Sequence, residues 1–259
     1  MADWPSGIRR IVLEETSSTN DVASEMGRRG ESAAWVFAKR QTHAKGRRGR
    51  AWLSGDDNFA ASLLLWPDAP IEVFAQLSFA TALALFDTIQ NFKGPEGLSL
   101  KWPNDVLQDG RKISGILLET TQIGDKSGLV IGIGVNLNRS PDHNELEERS
   151  LEPTHLGAYT SSKIAPEAFL DLLALNMDTW VTRWTRDGFA PVRESWLARA
   201  SGLGANIVAR LPDKTLHGTF EDVDHEGNLI LRTSQGAVVL PAGDIYFASQ
   251  EGDRDASGN

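Results

Sequence analysis

The chain has 259 residues, 24% of them charged, and a formal net charge of -9, which is enough length for one large domain and a small one. It contains no cysteine, so disulfides, thiolate metal sites and cysteine nucleophiles are excluded. A pI near 5.1 argues against general affinity for nucleic acid. No apolar run approaches the ~18 residues of a membrane span and Met1-Ala2-Asp3-Trp4-Pro5 lacks a signal-peptide pattern, so a cytoplasmic protein without membrane contact is expected.

In chain order, residues 8–14 read as a strand. Thr16-Ser17-Ser18-Thr19-Asn20 offers several N-caps for a helix to about Arg28, and capping alone would account for Ser18, Thr19 and Asn20. Residues 34–39 form a second strand, which runs into Gln41-Thr42-His43-Ala44-Lys45-Gly46-Arg47-Arg48-Gly49-Arg50. Four cations with glycines between them suit a loop that closes over an anion, through backbone N–H groups and guanidinium forks. A solvated basic turn is the bland account of the same run.

Residues 59–66 read as a buried strand stopped by Pro67. A helix from about Phe74 to Phe92 places Phe74, Leu77, Thr81, Leu85 and Ile89 along one face. Residues 98–102 are strand-like and end in the turn Pro103-Asn104-Asp105. Residues 112–119 and 129–138 make an antiparallel pair, the first with Gly115 in its interior, a mark of close approach by a ligand or backbone. Gly132 and Gly134 fall short of a dinucleotide fingerprint, since the third glycine and the following helix are missing.

Residues 139–160 read as a polar, acidic loop region. Residues 166–200 read as two helical pieces broken near Gly188 and Pro191, with Trp180, Trp184 and Trp196 at core spacing. From Ala205 the period changes to short strands at 207–211, 216–223, 229–233 and 237–240, which suggests a small β-barrel. The expected division is a catalytic domain over 1–203, a barrel over 204–249 and a disordered polar tail over 250–259. There is no P-loop and no Gly-x-Ser-x-Gly elbow. His43, His143, His155, His217 and His225 form no i,i+4 helical pair, so no metal ligands are assigned.

Five pieces in order carry a resemblance: Ser18-Thr19-Asn20, the loop 41–50, Lys101-Trp102-Pro103-Asn104-Asp105, residues 112–119, and Gly132-Ile133-Gly134-Val135-Asn136-Leu137. Together they resemble the biotin protein ligases. The resemblance implies an α/β (α+β) fold with a mixed central sheet and flanking helices, similar to class II aminoacyl-tRNA synthetases and lipoate ligases, plus a small SH3-like barrel. It implies ATP and biotin as substrates with Mg²⁺, formation of biotinyl-5′-AMP, and transfer of biotin to a lysine of a biotin carboxyl carrier protein. A lipoate or octanoate ligase or transferase of the same fold is the alternative; it would need an apolar tunnel in place of polar ureido contacts.

Carried over residue by residue, the resemblance makes Lys112, Asp105 and Arg47 catalytic. It gives Ser18, Thr19, Asn20, Gln41, Lys45, Gly46, Arg47, Lys112 and Gly115 to biotin. Arg47, Arg50, Trp52, Lys101, Asn104 and Asn136 go to the nucleotide. The loop departs from the family's Gly-Arg-Gly-Arg-x-Gly-Arg at Ala44 and Lys45, so residue 44 must adopt an ordinary backbone conformation and residue 45 loses a bidentate fork. Only about 17 residues precede Ser18, too few for a helix-turn-helix domain, so direct DNA binding is not expected. The family includes monomers and homodimers, and a sheet edge near 129–137 could pair two subunits.

Overall fold

Period-two alternation sorts the apolar side chains onto two faces of one sheet. The computed structural model describes residues 4–49, 52, 57–94, 96–141, 151–211, 214–241 and 243–247. Its main sheet has seven strands: β1 (Arg9–Thr16), β2 (Ala34–Gln41), β3 (Phe59–Leu65), β4 (Leu98–Lys101), β5 (Asp105–Gln108), β6 (Arg111–Ile123) and β7 (Lys126–Val135), in the order β1-β2-β3-β7-β6-β5-β4. β1 and β2 are parallel and joined by helix α1 (Thr19–Arg28); the remaining neighbours are antiparallel. The fold is therefore mixed α/β.

Trp35, Phe37, Leu63, Ile131 and Ile133 point into a large core with α2 (Leu77–Lys93), α3 (Pro166–Asp187) and α4 (Phe189–Leu197). Their sequence neighbours Ala34, Val36, Leu64 and Val130 point the other way, onto Ala23 and Met26 of α1. Each large apolar side chain fully withdrawn from water contributes about 1.5–3 kcal/mol, so the α2–α3 side dominates stability. The thinner α1 side is left free for a site.

The helix expected from Phe74 begins later. Ile71–Gln76 is a 3₁₀ stretch, α2 follows from Leu77, and α2 is buried nearly all round rather than along one stripe. Residues 71–93 are long and apolar enough to cross a membrane by composition, but 72% of an 18-residue apolar window within them is buried inside the fold. The helix is accounted for as a core element. Trp180, Trp184 and Trp196 are core residues, and Gly188, at φ 76°, separates α3 from α4 as expected.

Two expectations need correction. The turn expected at Pro103-Asn104-Asp105 holds for its first two residues, but Asp105 opens β5, a strand not among the expected ones, paired to both β4 and β6. The segment 129–137 is not a sheet edge: β7 hydrogen-bonds β3 on one side and β6 on the other. A strand with both rows of backbone groups paired has none left for a second subunit. The ends of the sheet are β1 and β4, and Leu100 of β4 is bridged to Ala200.

The carboxy-terminal strands are β8 (Asn206–Arg210), β9 (Thr215–Val223), β10 (Leu229–Thr233), β11 (Gly236–Leu240) and β12 (Asp244–Phe247). They make an antiparallel five-stranded sheet, β11-β10-β9-β8-β12. β12 was not among the expected strands, and the tail 250–259 lies outside the described residues. Phe220, Leu231 and Ile245 belong to the same continuous core as Phe79 and Trp196. The Trp102 indole donates to the Gly227 carbonyl at 3.0 Å, tying the sheet to the β4–β5 connection.

Candidate active site

Three glycines hollow out the α1 side of the sheet. Gly115 of β6 and Gly134 of β7 are paired directly across the ladder, and Gly132 lies two residues before Gly134 on the same face. A side chain at 132 would overlap the Asn20 amide, and one at 134 would meet the Trp52 indole. At Gly115 a Cβ would come within 3.1 Å of Trp52 and 3.4 Å of the Lys112 ammonium. Side chains from other elements thus fill part of the space left by the glycines, and a cavity of about 260 Å³ fills the rest. Every site residue expected from the sequence borders this cavity, except Arg50, which is outside the described residues.

One end of the cavity is polar and uncharged. Ser18 sits at the N-cap of α1 but makes no side-chain cap bond. Thr19 and Asn20 start the helix, and their side chains turn away from it, so capping alone does not explain them. The Thr19 amide N–H and hydroxyl donate to Gln41 Oε1 at 2.6 and 3.0 Å. Asn20 Nδ2 donates to Glu119 Oε2 at 2.6 Å, and the Ser62 hydroxyl lies 2.5 Å from Asn20 Oδ1. Such a wall of fixed donors and acceptors can recognise a small polar ring.

The other end is charged. Lys101 and Asp105 are register partners across the β4–β5 hairpin, and Asp105 also pairs with Gly115 of β6. Lys112 Nζ lies 2.6 Å from Asp105 Oδ1, while Lys101 Nζ is 3.9 Å from Oδ2. Lys101 and Asp105 are buried, at 6% and 8% exposure. Burial pushes the Lys101 ammonium below the usual lysine range, against the pull of Asp105. Burial alone would raise the Asp105 carboxyl, but Lys112 and Lys101 outweigh it and hold the group below the usual carboxylate range. Asp105 therefore stays ionised and serves as an acceptor and counter-charge rather than as a proton store. Arg47 and Asp244 also act on this cluster electrostatically. Three cations against two carboxylates leave positive charge at the place where an anion would enter.

The basic loop closes one side. His43 N–H bonds the Ser17 carbonyl at 2.9 Å and Trp52 N–H bonds the Ala44 carbonyl at 3.0 Å, so the loop is pinned at both ends. Ala44 is not among the positive-φ residues, as its side chain requires, and Gly49, at φ 73°, takes the left-handed turn. Lys45 spends its ammonium on Asp21 of α1, at 2.7 and 2.9 Å. Arg47 Nη1 donates to Asn104 Oδ1 at 3.2 Å, and Asn104 Nδ2 donates in turn to the Ile116 carbonyl at 2.7 Å. Asn104 is thereby a brace between loop and sheet. Asn136 donates Nδ2 to the Thr154 carbonyl at 3.0 Å, while its buried Oδ1 has no partner among the described residues. Asn136 itself lines the cavity, and a buried carbonyl oxygen without a partner is an acceptor in need of a donor.

Four residues at or behind the site were not expected. Asp244 and Tyr246 of β12 border the cavity, and a four-residue strand after a loop left no periodic signal. Ser62 was detectable as a lone hydroxyl in the apolar run 59–65, and Glu119 as a carboxylate ending the apolar run 116–118.

Comparison with known proteins adds an independent line. Residues 12–136 match the Biotin/lipoate A/B protein ligase family, and residues 202–248 match the Biotin protein ligase C terminal domain. The chain is 42% identical over 238 residues to a biotin--[acetyl-CoA-carboxylase] ligase of Paracoccus denitrificans, covering 91% of this chain and 99% of that protein. It is 32% identical over 242 residues to the bifunctional ligase/repressor BirA of Bacillus subtilis, covering 92% of this chain and 74% of that one. Among solved structures, the biotin protein ligase of Aquifex aeolicus in complex with biotin and ATP superposes with a TM-score of 0.79 at 23% identity, covering 93% and 99% of the two chains. The last likeness shows the fold alone.

Proposed function

We propose that this chain, which belongs to the Biotin/lipoate A/B protein ligase family, is a biotin protein ligase: it activates biotin with ATP and transfers it to a carrier lysine. The observation that supports the reading most is one cavity with an uncharged hydrogen-bonding end at Thr19, Asn20 and Gln41 and a cationic end at Lys101, Lys112 and Arg47. Biotin has the same polarity, a neutral ureido ring at one end and a carboxylate at the other. An alkyl acid such as octanoate has nothing to satisfy the polar end, where unpaired groups would cost binding.

In the first step a biotin carboxylate oxygen attacks the α-phosphorus of ATP, the bond from that phosphorus to the bridging oxygen breaks, and pyrophosphate leaves. An anion approaches a polyanion, so the excess positive charge around Lys112 lowers the barrier where charge accumulates. In the second step the neutral carrier amine attacks the acyl carbon of biotinyl-5′-AMP, the acyl–oxygen bond breaks, AMP leaves, and the surplus amine proton passes to water. Asp105, held ionised by its lysines, is suited to accepting a hydrogen bond from the incoming amine and so orienting it. Asn136 Oδ1 is suited to an exocyclic amine of the nucleotide base. Among the described residues no group of three His, Asp or Glu is placed to hold a metal ion, so Mg²⁺ belongs to this reading as a companion of the triphosphate.

The same reading takes residues 1–203 as the catalytic domain and 204–249 as an SH3-like unit, with the catalytic part akin to class II aminoacyl-tRNA synthetases. A carboxylase carrier domain is the acceptor and the cytoplasm the location. The test is transfer of labelled biotin to a purified carrier domain with and without ATP. Label appearing only with ATP is expected; no transfer and no ATP–pyrophosphate exchange with biotin would refute the reading.

A further inference from the structure

Behind the uncharged end of the cavity lies a second layer of polar groups. Ser62 is fully buried, the one hydroxyl among the apolar side chains of β3. A hydroxyl taken out of water needs partners, and Ser62 finds two, Thr19 Oγ1 at 2.7 Å and Asn20 Oδ1 at 2.5 Å. On the far side of the same amide, Glu119 Oε2 accepts from Asn20 Nδ2 at 2.6 Å. Gly132 leaves the room in which this amide sits.

The chemistry of these groups fixes their orientation. A carboxylate only accepts, so the Asn20 NH₂ must face Glu119 and its carbonyl must face Ser62. Ser62 has one hydrogen and Asn20 Oδ1 can only accept, so that hydrogen serves Asn20. The Thr19 hydroxyl shares that hydrogen, accepting from Ser62 Oγ, and donates its own hydrogen to Gln41 Oε1, which accepts the Thr19 amide N–H as well. With Gln41 Oε1 occupied in this way, its NH₂ is the group left to donate to a ligand. Thr19, Asn20 and Gln41 border the cavity, whereas Ser62 and Glu119 do not.

We infer that Ser62 and Glu119 are positioning residues for ligand specificity: through Asn20 and Thr19 they set the donor and acceptor pattern that the cavity presents to a cyclic urea. The inference rests on the biotin reading of that end of the cavity. It assigns two residues from distant strands a role that neither the loop nor the charged cluster supplies.

The test is steady-state kinetics of carrier biotinylation by the full chain, with biotin and with 2-iminobiotin, in which the urea oxygen is replaced by nitrogen. Ser62→Ala and Glu119→Leu should each raise the KM for biotin about tenfold, the order of effect of one lost bond to an orienting group. kcat and the KM for ATP should stay within about twofold, as expected when only substrate binding is touched. Glu119→Gln keeps an acceptor for Asn20 Nδ2 and should recover most of the loss. The preference for biotin over 2-iminobiotin should narrow about tenfold in the first two variants. If the buried Ser62→Ala does not fold, the Glu119 pair decides alone. Unchanged biotin KM and unchanged preference in Glu119→Leu, beside an active wild type, would overturn the inference and leave the proposed activity standing. So would equal losses in kcat and both KM values that track a lower melting temperature. A wild type that neither binds nor transfers biotin would overturn both readings.

Discussion

Lys112 and Lys101 share the Asp105 carboxylate but should answer differently to substitution. Lys112 reaches the cavity with about a third of its side chain exposed, whereas Lys101 is enclosed. Lys112→Ala should leave the fold intact and slow biotin-dependent ATP–pyrophosphate exchange by roughly 10²–10³-fold, the scale of one preorganised contact to developing charge. Exchange near the wild-type rate would remove Lys112 from the first chemical step. For Lys101 the readout is stability against pH. Burial holds its folded pKa below the unfolded value of about 10.4. Between those two values the unfolded chain binds more protons than the folded one, so stability rises with pH across that window. The stability difference between wild type and Lys101→Met, from urea midpoints, should therefore climb in favour of wild type as the pH is raised toward about 10. A flat difference would mean that Lys101 feels no net burial penalty.

At the scale of elements, the basic loop separates making the intermediate from keeping it. Its contacts are modest: the Lys45–Asp21 pair is half exposed, and such pairs contribute little. Arg47 is half-buried and braced on Asn104. Arg47→Gly should still form adenylate through Lys112 but release it about ten- to a hundredfold faster, the effect of one charge-assisted contact of ~1.5–3 kcal/mol. Released adenylate would acylate lysines of a bystander protein, so biotin labelling of an unrelated lysine-rich protein is the measure. Labelling equal to wild type with synthesis intact would deny Arg47 that role; loss of synthesis would move it into the first step. The loop was legible because its charge and glycine pattern is local, as were the apolar runs that became β2, β3 and α2. β5 was not, because Asp105-Val106-Leu107-Gln108 follows a Pro-Asn turn signal and carries only four residues of pattern. Nor was the central place of β7, since strand order depends on partners far away in sequence. The setting of Asn20 was hidden for the same reason. Its side-chain partners Ser62 and Glu119 lie 42 and 99 residues away, beyond any local capping rule.

For the whole molecule the question is why the carboxy-terminal sheet is attached. Its inner side chains share the catalytic core, Gln76 Nε2 donates to the His225 carbonyl at 3.1 Å, and Arg193 bonds both Asp222 and the Val223 carbonyl. Removing 205–259 would uncover Trp102 and Phe79, so truncation alone would confuse lost stability with lost chemistry. Point substitution at the rim separates them. Asp244 on β12 borders the cavity and attracts the buried Lys101. If the sheet contributes to the charged cluster, Asp244→Asn should leave the melting temperature within a few degrees, since the change is isosteric at a strand end. It should nevertheless slow adenylate synthesis about tenfold, because the buried Lys101, already held below the usual lysine range, loses one of the charges that keep it protonated and so available to an anion. Tyr246→Phe, which removes only a hydroxyl, is the companion variant for the other rim residue. Adenylate synthesis and carrier transfer, measured separately, then distinguish the two ways a second sheet can serve a ligase. Loss confined to transfer would assign β12 to docking the carrier. Loss of synthesis would make it part of the activation site, and wild-type rates in both steps for both variants would leave the sheet as packing alone.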